Sequence, residues 1–119
     1  MEKEITIRVF DVVQTTLPQG RRSEGGMVGG EELRKKIEEA WDRYEKINIS
    51  FDNIVKMTRT FTDEAFAKLL ENHSLEEFNQ KVYFPDARES IVKELNDAFK
   101  LRLKIIASKR EREQNQFGL

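Results

Sequence analysis

INISFDNIVKMTRTFTDEAFAKLL, Ile47 to Leu70, carries apolar residues at every second position first and at every third or fourth position later. Ile47, Ile49 and Phe51 alternate with Asn48, Ser50 and Asp52, which is the period of a half-buried strand. Asp52 and Asn53 are turn formers, and Ile54 and Met57 are expected to be buried. Phe61, Ala65, Phe66, Leu69 and Leu70 then follow the helical period, so the stretch predicts strand, turn and helix. The helix start falls between Thr60 and Asp63, and two capping schemes compete. With Thr62 as N-cap, Phe61 and Phe66 form a hydrophobic staple; with Thr60 as N-cap, Asp63 takes the reciprocal capping position.

Upstream, Glu4 to Val13 (EITIRVFDVV) alternates β-branched residues with polar ones and predicts another strand. The alternation slips at the adjacent Val9 and Phe10, where the strand either bends or becomes buried on both faces. Thr15 to Gly30 (TTLPQGRRSEGGMVGG) holds five of the six glycines and is expected to be a loop. Glycines ahead of a helix invite a phosphate-loop reading, since exposed helix N-terminal N–H groups attract anions. Neither the Walker pattern nor G-x-G-x-x-G is present. The loop is therefore either a connector or a binding loop in which Gly20, Arg21, Arg22, Ser23, Gly25 and Gly26 meet an anion or a carboxylate. Leu33, Ile37, Ala40, Trp41 and Tyr44 mark one face of a helix from Glu31 to Tyr44, with Trp41 and Tyr44 assigned to core packing.

Downstream, the helix is expected to end near Asn72 or His73, with His73 at the surface. Ser74 and Glu77 form a capping box for a short helical turn. Lys81 to Phe84 reads as a short strand stopped by Pro85, and Asp86 is expected to cap a long final helix. Ala87, Ile91, Val92, Leu95, Ala98, Phe99, Arg102 and Ile106 follow that helix's period. The charged segment 108–119 is expected to be a frayed, solvated helix end beyond a single domain at 1–107, rather than a nucleic-acid arm.

Composition narrows the function classes. At 119 residues the chain suits one domain with its own core. Twenty-one basic and 22 acidic residues nearly cancel, so no global field recruits nucleic acid. Without cysteine and with one histidine, thiolate chemistry and most zinc sites are excluded. No apolar run reaches the roughly 18 residues of a membrane helix, and the N-terminus lacks a signal-peptide pattern. A cytoplasmic protein is expected, with no membrane partner. No nucleophile stands beside a base, so the expectation is a non-enzymatic binding protein without cofactors.

Two separated motifs occur together: GRRSEGGMVGGEELR, Gly20 to Arg34, and RTFTDEAF, Arg59 to Phe66. In this order they resemble the bacterial and phage family called the STAS-like domain of unknown function. The resemblance implies an α/β fold related to the anti-sigma factor antagonists, a small mixed sheet of about three to four strands covered by three main helices. In those relatives a serine or threonine at the start of the second helix is phosphorylated by a partner kinase. Ile54 and Met57 match the apolar positions of that segment and Thr60 matches the phosphorylated one, while Arg59 and Phe61 depart from it.

The resemblance implies a regulatory module of partner-switching type, with a histidine-kinase-like ATPase as partner. Thr60 is its candidate phosphoacceptor, and Met57, Thr58, Arg59, Thr60, Thr62 and Asp63 its candidate contact residues. A phosphate there would gain from the helix dipole and from Arg59, and lose to repulsion from Asp63 and Glu64. The alternatives are a phosphate- or nucleotide-binding accessory domain using the glycine loop, and a phage- or defence-related accessory protein acting by homo-oligomerisation.

Overall fold

The computed structural model describes residues 2–115. Strand β1 (Glu2–Arg8) runs into a short helix α1 (Val9–Val13), then a loop leads to α2 (Gly30–Trp41) and β2 (Tyr44–Ser50). After an extended segment come α3 (Arg59–Ala65), a 3-10 helix (Ala67–Glu71), α4 (Leu75–Lys81), β3 (Val82–Tyr83) and the long α5 (Glu89–Asn115). The three strands form one parallel sheet in the order β1-β2-β3. Parallel neighbours need a crossover, which α2 supplies between β1 and β2. Register pairs Ile5 with Ile47 and Ile7 with Ile49, and Ile47 in turn with Val82. On the central strand Ile47, Asn48 and Ile49 are all buried, as expected when a parallel sheet is covered on both faces.

The break in alternation at Val9 is neither a bend nor a doubly buried strand. It is α1, where the period changes from two to four: Val9 and Val13 are buried, and Arg8 pairs with Asp11 at 2.7 Å. Gln14 closes the turn in the left-handed conformation (φ 56°), its N–H donating to Phe10 O. Tyr44 belongs to β2 and not to the preceding helix, which ends at Trp41. Ile54 and Met57 are buried and the Ser74–Glu77 capping box is formed, as the sequence predicts.

Neither capping scheme for α3 occurs. The N-cap is Thr58, whose Oγ1 accepts from Phe61 N at 3.2 Å. Asp86 does not cap α5 either. Its carboxylate accepts from Ser50 Oγ and Phe51 N at 2.6 and 2.8 Å, fastening the chain after β3 to the end of β2. Downstream of 107 the chain stays helical to Asn115, with exposed side chains at 107–114; the last four residues of the predicted tail, 116–119, lie outside the described residues.

The core is aromatic along one line. Phe51, Phe66, Phe84, Phe78 and Phe99 follow one another at centroid separations of 5.8, 5.9, 6.1 and 5.1 Å. The chain of rings ties β2, the α3 region, the β3 exit, α4 and α5 together. Phe61, Phe66 and Phe78 are almost fully buried, and truncating any one to Ala would cost about 3–5 kcal/mol. Trp41 is core, and His73 stacks on it at 3.7 Å with Nε2 3.2 Å from Glu38.

Candidate functional site

The turn into α3 and the glycine loop meet on one side of the sheet, and a cluster of charges joins them. Asp63 and Glu64 lie in the last turn of α3 on its buried side, 6 and 5 % exposed. Carboxylates at that depth need partners, since an unpaired buried charge costs several kcal/mol. Arg102 of α5 grips Asp63 with two bonds, Nε to Oδ1 at 2.9 Å and Nη2 to Oδ2 at 2.5 Å. Arg21 of the loop donates to Asp63 at 2.6 Å and to Glu64 at 3.2 Å. Arg34 of α2 holds Glu64 Oε2 at 2.7 Å and its backbone carbonyl at 2.9 Å, and Lys68 reaches Oε1 at 3.0 Å. Four segments therefore converge on two adjacent carboxylates. Burial pushes both upward, but the hydrogen bonds from Arg102 and Arg21 on Asp63, and from Lys68 and Arg21 on Glu64, hold each below the usual carboxylate range.

Gly30 permits this convergence. A Cβ built there would stand 2.7 Å from Phe61 O and 2.9 Å from Ala65 N, so the start of α2 lies directly against α3. The loop closes at its neck, where Gly30 N donates to Gly20 O at 3.0 Å and Glu31 N to Arg21 O at 2.9 Å. At the tip Glu24 and Met27 exchange two backbone bonds around Gly25 and Gly26, both at positive φ as a tight two-residue turn requires. Ser23 Oγ accepts from Gly29 N at 3.2 Å.

These partners revise the loop reading. The first N–H groups of α2 are taken by the loop's own carbonyls, and Arg21 is committed to Asp63 and Glu64. Of the six loop residues singled out by sequence, Gly20, Arg21 and Ser23 build the loop and its latch, Gly25 and Gly26 form its tip, and Arg22 presents an exposed side chain.

The turn divides in two. Met57, Thr62 and Asp63 are buried, so these three are not contact residues in this fold. Thr62 Oγ1 donates to Thr58 O at 2.8 Å, and Asp63 belongs to the charge cluster. Thr58, Arg59 and Thr60 are exposed. Thr60 Oγ1 lies 3.3 Å from Thr58 Oγ1 in the first turn of α3, while Arg59 turns away to α5, bonding Glu94 at 2.6 Å and Asp97 at 3.5 Å. The repulsion that Asp63 and Glu64 were expected to exert on a phosphate at Thr60 is answered by their own cations.

Beside the turn runs a ridge in which the bent segment 15–18 lies along residues 54–58. Val55 N donates to Thr16 O at 2.8 Å and Thr58 N to Pro18 O at 3.2 Å. On it stand Leu17 and Val55, 52 and 58 % exposed, the two most exposed large apolar side chains among the described residues.

Among the described residues no group of three or more His, Cys, Asp or Glu side chains could hold a metal ion. Nor is any helix among them long and apolar enough to cross a membrane. The parallel sheet, its covering helices and the threonine-bearing start of α3 define a small α/β domain of STAS-like architecture. The chain belongs to the family described as the STAS-like domain of unknown function (DUF4325), whose model matches residues 29–92, more than half of the chain. The match runs from α2 through β3 into the start of α5, and begins at Gly29, after most of the glycine loop. No curated protein and no solved structure matches the chain.

The charge cluster is what sequence reasoning missed. A signal was present: Arg102 falls on the apolar stripe of the last helix, and a cation there calls for a buried carboxylate. Asp63 and Glu64, set among Phe61, Ala65 and Phe66, were the acids available to it.

Proposed function

We propose that the chain is a non-enzymatic regulatory module that acts by binding another protein, in the partner-switching manner of the anti-sigma factor antagonists. The observation that carries this reading is the ridge. Leu17 and Val55 stand most exposed on two segments hydrogen-bonded to each other, the second of which runs on into the exposed Thr58 and Thr60. An apolar pair rimmed by polar groups is the composition of a contact centre. Thr60 is the candidate phosphoacceptor, because its hydroxyl is open to a kinase and caps nothing. The hydroxyls' partners are backbone groups and each other, which supports binding over catalysis. The partner class implied by the resemblance is a histidine-kinase-like ATPase, and we place the pair in the cytoplasm.

Co-purification from source cells tests the reading. The wild-type chain is expected to retain one stoichiometric protein partner that Val55→Glu loses and whose retention Thr60→Glu alters. Equal retention by all three chains contradicts it.

A further inference from the structure

Helix α5 leaves the side facing α4 open. On one flank Glu94 and Asp97 receive Arg59; on the other, Val92, Phe99 and Leu103 face α4 across a groove of about 350 Å³. Leu75 of α4 forms the opposite wall and Phe78 the floor. Phe78 is 1 % exposed, yet the rim residues Leu75, Val92 and Leu103 are 40, 41 and 37 % exposed. This is a lined apolar cleft with an open top, unlike scattered surface leucines.

Its dimensions and charge choose an occupant. From Val92 to Leu103 the groove runs about 16 Å at 1.5 Å per residue, three turns of a helix. A cleft lined by side chains of α4 on one side and three turns of α5 on the other accepts a third helix, with apolar anchors at i, i+3 or i+4, and i+7. Lys100 is the one charged side chain lining the groove, and Lys93 and Lys104 occupy the same outer stripe of α5 by helical spacing. Asp97 shares that stripe, so the outer rim carries three lysines against one carboxylate and is basic on balance. Lys93 is paired with Asp97 at 2.9 Å, whereas Lys100 and Lys104 are in no ion pair among the described residues.

A second copy of the chain fits less well. Pairing two α5 helices antiparallel about the centre of this stripe sets Val92 against Leu103 but brings the two lysine rims together on one side, where they repel.

We propose that the α4–α5 groove is a docking site for an amphipathic helix of a partner protein, with acidic residues on the flank that meets Lys100 and Lys104. The site is separate from the Leu17–Val55 ridge, and α5 lies between its groove and Arg59.

The test uses two synthetic helical peptides of about 18 residues, roughly five turns, with leucines at that anchor spacing. One carries glutamates along the flank and its isomer lysines. Binding to the full chain is followed by fluorescence anisotropy and located by amide chemical shifts. The expected result is that the glutamate peptide binds at least about tenfold tighter than the lysine peptide. Shifts should concentrate on Leu75, Phe78, Val92, Phe99 and Leu103.

Lys100→Glu/Lys104→Glu, two exposed changes that leave the core intact, should reverse the preference. Leu103→Glu should abolish binding, and Val55→Glu should leave it unchanged, which separates this site from the ridge. Equal binding of both peptides, no binding at millimolar peptide, or shifts mapping elsewhere overturns the proposal. So does a concentration-dependent dimer in light scattering that Leu103→Glu dissolves, which would assign the groove to a second copy.

Discussion

Arg102, at the midpoint of α5, makes a two-pronged bond to Asp63 in the second half of α3, Nε to Oδ1 and Nη2 to Oδ2 at 2.9 and 2.5 Å. A fork-to-fork pair of this kind fixes both distance and orientation between two helices. Arg21 adds the glycine loop to the same carboxylate, so the loop, α3 and α5 share one anchor.

Removing one partner should therefore hurt more than removing both. Arg102→Met leaves Asp63 buried with Arg21 alone and is expected to cost about 3–5 kcal/mol in urea unfolding. The double variant Arg102→Met/Asp63→Leu replaces the pair by apolar volume and should recover much of that loss. Additive losses would show that the two residues do not act as a pair.

Acid should loosen the same anchor. The folded-state pKa values of Asp63 and Glu64 lie below their ordinary values, so their contribution is complete above the unfolded-state range near about 4. It is lost as pH falls from there through the depressed folded values. The urea midpoint of the wild type is expected to stay level with respect to these two groups from neutrality to about pH 5 and to drop below about pH 4. Asp63→Asn should start less stable and fall less steeply in acid. An unchanged acid slope in that variant would remove Asp63 as a cause.

The hydroxyls of the turn have different duties. Thr58→Ala removes the α3 N-cap and should cost about 1 kcal/mol, whereas Thr60→Ala should cost less than about 0.5 kcal/mol. Comparable losses in the two would mean that Thr60 is structural and would weaken its standing as a phosphoacceptor.

Two glycines separate crowding from backbone freedom. Gly30→Ala drives a methyl into the α3 backbone, where nothing flexible can yield, and should cost on the order of 3 kcal/mol. At Gly25 a Cβ meets nothing within 4 Å, so only the positive φ of 56° resists alanine, at about 1 kcal/mol. Thermal denaturation of both variants checks the order; a reversed order would contradict the close approach of α2 to α3.

Local patterns were legible in the sequence and distant pairings were not. Alternation placed β1 from Glu4 and β2 from Ile47, and Ser74 with Glu77 announced a cap that needs only its own four residues. The α/β class and the three strands are as the paired motifs imply, whereas the sheet is parallel throughout and not mixed. Thr58 was passed over as N-cap because the threonines at 58, 60 and 62 offer the same local chemistry; the chain is held at 58 by Pro18 and Thr62, neither visible as a partner beforehand. Asp86 looked like a cap because it precedes a helix, yet Ser50 and Phe51, far back in the chain, claim it. Asp63 and Arg102 stand 39 residues apart, and only packing reveals that each answers the other's burial.

The turn and the ridge beside it carry the functional account, and hydrogen exchange on a co-purified complex tests them most directly. Amides at 15–17 and 54–60 are expected to slow on complex formation, and to recover free-chain rates when the complex is challenged with Val55→Glu in place of the wild-type chain. A complex that leaves both segments at free-chain rates would contradict the assignment of this surface.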